Sequence, residues 1–163
     1  MIEGGCQCGG IRYTVDGEAT GLFVCHCTEC RRQSASAFGV SVDVPAAALR
    51  VVRGDTQTWS RPTAHGRLVC HFCPTCGGRL WHAADPPDGK VTVKGGSMDS
   101  PPDLSKAVHI WTASKLPGVA IPPEAEQYPG TRPPGQSVGD ANSAPRRASC
   151  PWTSGFSPPG RSR

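Results

Sequence analysis

The sequence predicts a mainly β domain of short strands, with little helix and a metal staple. Three observations carry that expectation. The chain of 163 residues is 37% hydrophobic and holds 20 Gly and 17 Pro, a composition of many turns and few long helices. Its apolar residues alternate in short runs between turn signals. Eight of its nine cysteines fall into three clusters with one or two residues between thiols, which is metal-ligand spacing.

Residues 11–15 alternate as a strand, after Gly9-Gly10 and before the turn pair Asp16-Gly17. Residues 22–24 lead into the second cysteine cluster. One or two helical turns are expected over 29–36, the sole helical hint. Residues 37–44 form the longest strand candidate, ended by Pro45, and 49–53 form another, closed by Gly54-Asp55. Strands at 56–60, 67–72 and 79–83 follow. A turn at Asp85-Pro86-Pro87-Asp88-Gly89 separates them from 90–94 and 107–113. That makes nine strands in one domain, residues 1–128. From 129 to 163, 18 of 35 residues are Pro, Gly or Ser. Such a segment buries too little apolar surface to offset its ordering entropy, so a disordered tail is expected, with Cys150 and Trp152 incidental in it.

Charge narrows the function. Residues 1–128 hold 12 Lys+Arg and 12 Asp+Glu, and the tail's five Arg and one Asp supply the whole net +4. The domain therefore lacks the basic signature of a nucleic-acid binder, and no finger helix is recognisable. No run of 18 apolar residues is present, so no membrane span is expected. Met1-Ile2-Glu3-Gly4-Gly5 does not read as a signal peptide, which predicts a cytoplasmic, reduced chain. Clustered cysteines there bind metal more often than they form disulfides.

The first cluster is Cys6-Gln7-Cys8-Gly9-Gly10 and the third is Cys70-His71-Phe72-Cys73-Pro74-Thr75-Cys76-Gly77-Gly78. Each supplies a pair of thiolates, and each pair is followed by glycine, which tolerates the turn a knuckle needs. A closed structural zinc site takes four ligands, so pairing Cys6 and Cys8 with Cys73 and Cys76 completes a tetrahedron. The middle cluster, Cys25-His26-Cys27-Thr28-Glu29-Cys30, offers three thiolates. Three protein ligands with one open position is the catalytic zinc pattern. Zinc with three thiolates is a poor Lewis acid for water and suits a soft ligand, above all a thiol. Arg31 and Arg32 follow directly and would attract the carboxylates of an anionic thiol. Alternatively the middle cluster is a second structural site with Cys70 or His71 as fourth ligand. Cys70 reads better as a small apolar strand residue, and His26 as a spacer rather than a ligand.

These motifs, together with Ser34-Ala35, Gly95-Gly96-Ser97-Met98-Asp99 and His109-Ile110-Trp111-Thr112-Ala113-Ser114-Lys115, are distinctive. Over roughly residues 3–128 the chain resembles the glutathione-dependent formaldehyde-activating enzyme family, whose vertebrate relatives include centromere protein V. The resemblance implies a β-tent of small antiparallel sheets pinned by a structural zinc. It implies Cys6, Cys8, Cys73 and Cys76 as structural ligands and Cys25, Cys27 and Cys30 as a second, catalytic zinc site, two zincs per chain. The implied activity is a carbon–sulfur lyase that reversibly joins glutathione to formaldehyde as S-hydroxymethylglutathione. Expected partners are thus a small thiol and an aldehyde, with no nucleic acid and no membrane. Glu29, His26 and Asp99 are the candidate proton donors, each with a structural reading beside it. The competing function is a non-catalytic zinc module that binds glutathione or a protein partner, with the basic tail as its contact arm.

Overall fold

The structure, a computed structural model, describes residues 1–133. Its strands are β1 (Ile2–Gly5), β2 (Arg12–Val15), β3 (Gly21–Cys25), β4 (Gly39–Pro45), β5 (Leu49–Arg53), β6 (Gln57–Thr63), β7 (Gly66–Phe72), β8 (Arg79–Asp85), β9 (Lys90–Lys94) and β10 (Val108–Ile110). One short helix, α1 (Thr28–Ser34), interrupts them after β3. Residues 134–163 of the expected tail, with Cys150 and Trp152, lie outside the described residues. No helix among the described residues is long and apolar enough to cross a membrane.

The strands form two sheets. The smaller has the order β1-β2-β5 and the larger β10-β3-β4-β9-β8-β7-β6. Every pairing is antiparallel except that of β10 with β3, which is parallel. The mainly β expectation holds, with small sheets and one short helix.

Period-two alternation decides which faces meet. In β2, Tyr13 and Val15 are buried between half-exposed neighbours. In β9, Val91 and Val93 turn inward while Lys90, Thr92 and Lys94 turn away. Val42 and Val44 of β4 and Leu80 and Trp81 of β8 join them in one core with Ile11, Cys6 and Cys73. Tyr13 of the small sheet meets Trp81 of the large one edge to face, 6.0 Å between centroids. Burying each such side chain contributes about 1.5–3 kcal/mol. The core thus lies between the sheets and includes two cysteines of the thiol clusters, Cys6 and Cys73.

Several elements differ from the sequence expectation. β1 was not expected, because Ile2-Glu3-Gly4-Gly5 has poor strand propensity. Its glycine is required by close approach: a Cβ on Gly4 would sit 2.3 Å from the Tyr13 hydroxyl and 2.4 Å from the Ser97 carbonyl. α1 starts one residue before the expected range and ends two short of it, at Ser34, with Ala35 in the left-handed conformation (φ 48°) as C-cap. The run expected over 107–113 is a strand only at Val108–Ile110. Trp111 then turns left-handed (φ 59°) and starts a 3-10 turn, Thr112–Ser114.

Candidate functional site

Two groups of thiols assemble. The sulfurs of Cys6, Cys8, Cys73 and Cys76 all lie within 4.8 Å of one another, and so do those of Cys25, Cys27 and Cys30. Both sets are those the sequence proposed. Among the described residues no disulfide joins them.

The four-thiol group is built from two knuckles of closely similar design. In the first, Cys6 N–H donates to the Ile11 carbonyl (3.1 Å) and Gly9 N–H donates to the Cys6 carbonyl (2.9 Å). In the second, Cys73 N–H donates to the Gly78 carbonyl and Gly77 N–H to the Cys73 carbonyl, both at 2.9 Å. Gly9 and Gly77 are left-handed, at φ 73° and 70°, so glycine suits each turn. Backbone donors point at sulfur: Ile11 N–H reaches Cys6 Sγ at 3.1 Å. The backbone N–H groups of Cys8 and Gly78 pull the Cys76 thiol down to about 6.

The sulfurs are spaced for a metal. Cys6 Sγ and Cys8 Sγ are 3.5 Å apart, and Cys8 Sγ and Cys73 Sγ 3.7 Å. A tetrahedron with zinc–sulfur bonds of about 2.3 Å has edges of about 3.8 Å. The four-sulfur donor set therefore fits an ion, and it ties the N-terminal hairpin to the β7–β8 connection.

The three-thiol group sits where β3 hands over to α1. Cys25 is the last residue of β3, Cys27 is the N-cap of α1, and Cys30 lies in the first turn. Cys27 Sγ accepts from Cys30 N–H at 3.3 Å, an N-cap bond made by sulfur. The Cys25 and Cys30 side chains, then backbone N–H groups of Cys30 and Glu29, lower the Cys27 thiol to about 2. Cys25 is pushed the other way, by Cys27 first and Cys30 second. The donor set fits a soft metal ion with three sulfurs from the protein.

His26, between two of these cysteines, is fully buried and faces away from them. Its Nε2 shares a hydrogen bond with His109 Nδ1 at 3.0 Å, and the rings stack at 5.3 Å. Burial, and then His109, hold His26 below its ordinary pKa, so a neutral pair with one donor and one acceptor is consistent. His26 anchors the cluster loop to β10 rather than joining the sulfurs.

A cavity of about 270 Å³ opens beside Cys30. Cys30, Gln33 and Ser34 lie on one face of α1, at i, i+3 and i+4, and form one wall. Phe38, Gly39 and Val40 continue it, and Arg79, Lys94 and Ser97 close the far side. Arg31 and Arg32 point elsewhere on the helix and do not line it. Arg32 is 75% exposed and pairs with Glu29 at 3.5 Å. Asp99 is held by Arg12 at the surface, 2.9 Å between Nη1 and Oδ1, away from the cavity walls. Cys70 is buried, touched by Gln33 Nε2 at 3.7 Å, and outside the three-sulfur group. His71 is stacked on Trp81 and bonded to Thr56, so it is not a fourth ligand either.

The sequence pattern of the glutathione-dependent formaldehyde-activating enzymes matches residues 1–114. The chain belongs to this family. The match takes in both thiol groups and every residue of the cavity wall. Among solved structures, a Rhodobacter sphaeroides protein studied by Northeast Structural Genomics superposes with a TM-score of 0.51. It is 22% identical, over 63% of this chain and 93% of that one, a likeness of fold alone. No curated protein matches the chain significantly.

For this member of the formaldehyde-activating family, the cavity residues missed by sequence reasoning are Arg79, Lys94, Gln33 and Ser97. A partial signal existed for Lys94. It stands in phase with Lys90 and Thr92, opposite the buried Val91 and Val93, so alternation assigns it to the polar face of β9.

Proposed function

We propose that the chain is a zinc-dependent carbon–sulfur lyase that reversibly joins a thiol, glutathione, to formaldehyde or a related aldehyde. The single observation that carries this reading is the three-sulfur group opening onto a cavity through Cys30. The family's name supplies the chemical theme of glutathione and formaldehyde. In this reading Cys6, Cys8, Cys73 and Cys76 hold a structural zinc, and Cys25, Cys27 and Cys30 hold the reactive one. A zinc ion on three thiolates, with one position left to the substrate, keeps an incoming thiol deprotonated at neutral pH.

The chain's own residues do the rest. The N–H of Cys30 fixes the Cys27 sulfur and favours its thiolate. The walls from α1, β4 and β8 keep bulk water from the aldehyde, which would otherwise hydrate. Arg31 and Arg32 at the outer face of α1 attract the anionic thiol as it approaches. In the reaction the thiolate sulfur bonds to the aldehyde carbon, the carbonyl π bond breaks, and its oxygen takes one proton. We place the protein in the cytoplasm, where thiols stay reduced.

Exchange between formaldehyde, glutathione and their adduct, followed by two-dimensional exchange NMR, tests the proposal. Acceleration over the protein-free rate, lost in Cys30→Ser, is the expected result. An unchanged exchange rate with glutathione still bound would replace the enzyme reading with a binding module.

A further inference from the structure

Two half-buried cations on the cavity wall are left without a role by the reading above. Among the described residues, Arg79 and Lys94 are the only charged ones lining the cavity, and no carboxylate lines it beside them. Arg79 Nε and Nη2 are buried and have no hydrogen-bond partner among the described residues. Guanidinium nitrogens buried in that condition are costly unless an anion completes them. Lys94 Nζ donates to His82 Nδ1 at 2.8 Å. His82 is held to about 3, by burial first and then by Lys94 itself, so it accepts as a neutral ring. An ammonium has three N–H donors, and this bond uses one.

Charge arithmetic sets the ligand. Zinc with three thiolates carries about −1, and Arg79 with Lys94 carries +2, which leaves about +1 for one further anion. Arg79 offers the planar fork that matches a carboxylate, and Lys94 adds a point charge. The ligand that enters beside Cys30 would carry its thiol toward the sulfurs and one carboxylate toward the far wall. We propose that Arg79 and Lys94 hold one carboxylate of the thiol substrate, so that the cavity selects acidic thiols over neutral ones. The proposal rests on the reading that this cavity receives the thiol. It differs from the approach role of Arg31 and Arg32, which lie outside the wall.

S-methylglutathione and its diethyl ester separate this from a purely structural role for the cations. Neither has a free thiol, so binding is read without reaction. Calorimetric titration of the zinc-loaded full chain is expected to show the acid binding at least about tenfold more tightly than the ester, a ratio of one charge-assisted pair. Arg79→Gln should lower affinity for the acid by a similar factor, leave the ester unchanged, and keep zinc content and melting temperature. Arg79→Lys should restore part of the loss. Equal binding of acid and ester to the wild type overturns the proposal. So does an equal loss for both probes in Arg79→Gln, or binding of neither. Acid-selective binding without formaldehyde exchange would sink the lyase reading alone. Exchange with no acid selectivity would sink the carboxylate pocket alone.

Discussion

At the scale of single residues, histidines find partners that sequence reasoning did not name. His26 Nε2 and His109 Nδ1 share a hydrogen bond in a buried pair behind the three-sulfur loop, while His26 Nδ1 is buried without a partner among the described residues. His26→Ala removes a stacked ring and strands His109 Nδ1. A loss of about 3 kcal/mol is expected from the cavity and the orphaned nitrogen together, measured by urea unfolding at fixed zinc. His82 carries a pH dependence of definite sign. Its folded pKa, about 3, lies below the ordinary 6.5, because burial and then Lys94, Arg79, Arg61 and Lys90 oppose a second charge there. As pH falls below 6.5 the unfolded chain takes up a proton that the folded chain refuses. Stability is therefore full above pH 6.5 and falls toward pH 3, by up to about 1.4 kcal/mol per pH unit. His82→Asn keeps an acceptor for Lys94 without titrating. Its unfolding free energy should fall less steeply than the wild type's between pH 6.5 and 5.

At the scale of elements, the two thiol groups differ in what they connect. Cys6 and Cys8 follow β1, while Cys73 and Cys76 stand between β7 and β8, so the proposed structural zinc closes a long loop. Cys25, Cys27 and Cys30 span a single strand-to-helix junction. Structural zinc supplies folding free energy on the order of 10 kcal/mol. Cys73→Ser should therefore abolish the cooperative melt followed by far-ultraviolet circular dichroism. Cys30→Ser should keep that melt and lose one zinc of two. The two thiol groups were legible in the sequence because cysteine spacing is a local signal, and so were most strands, because Tyr13/Val15 and Val91/Val93 alternate. β1 was not legible, since its pairing depends on Tyr13 and Ser97 leaving room only for hydrogen at Gly4. The parallel register of β10 on β3 was equally hidden, being set by contacts 85 residues apart, as between Phe23 and Val108.

At the scale of the molecule, the cavity is a product of tertiary assembly. Its walls come from α1, β4, β8 and the β9 end, and no local pattern links Cys30 to Arg79 or Lys94. Sequence reasoning found the cations adjacent in the chain, Arg31 and Arg32, and missed those adjacent in space. Contacts of the domain likewise reach past residue 128. Trp111 N–H donates to the Gly130 carbonyl at 2.8 Å, and Arg132 pairs with Glu126 at 3.6 Å. A chain ended after residue 128 should melt a few degrees below one ended after 133, at equal zinc content, in differential scanning calorimetry.

The four sulfurs of the clip are unequally sheltered: Cys6 and Cys73 are buried, whereas Cys8 is exposed. That asymmetry fixes a sequence of events for damage. Chelators and oxidants would meet Cys8 first, and a ligand swapped there would loosen the proposed zinc while the two core sulfurs still gripped it. Release of that zinc would then be a stepwise process with a surface-controlled opening move, its rate set by a single side chain.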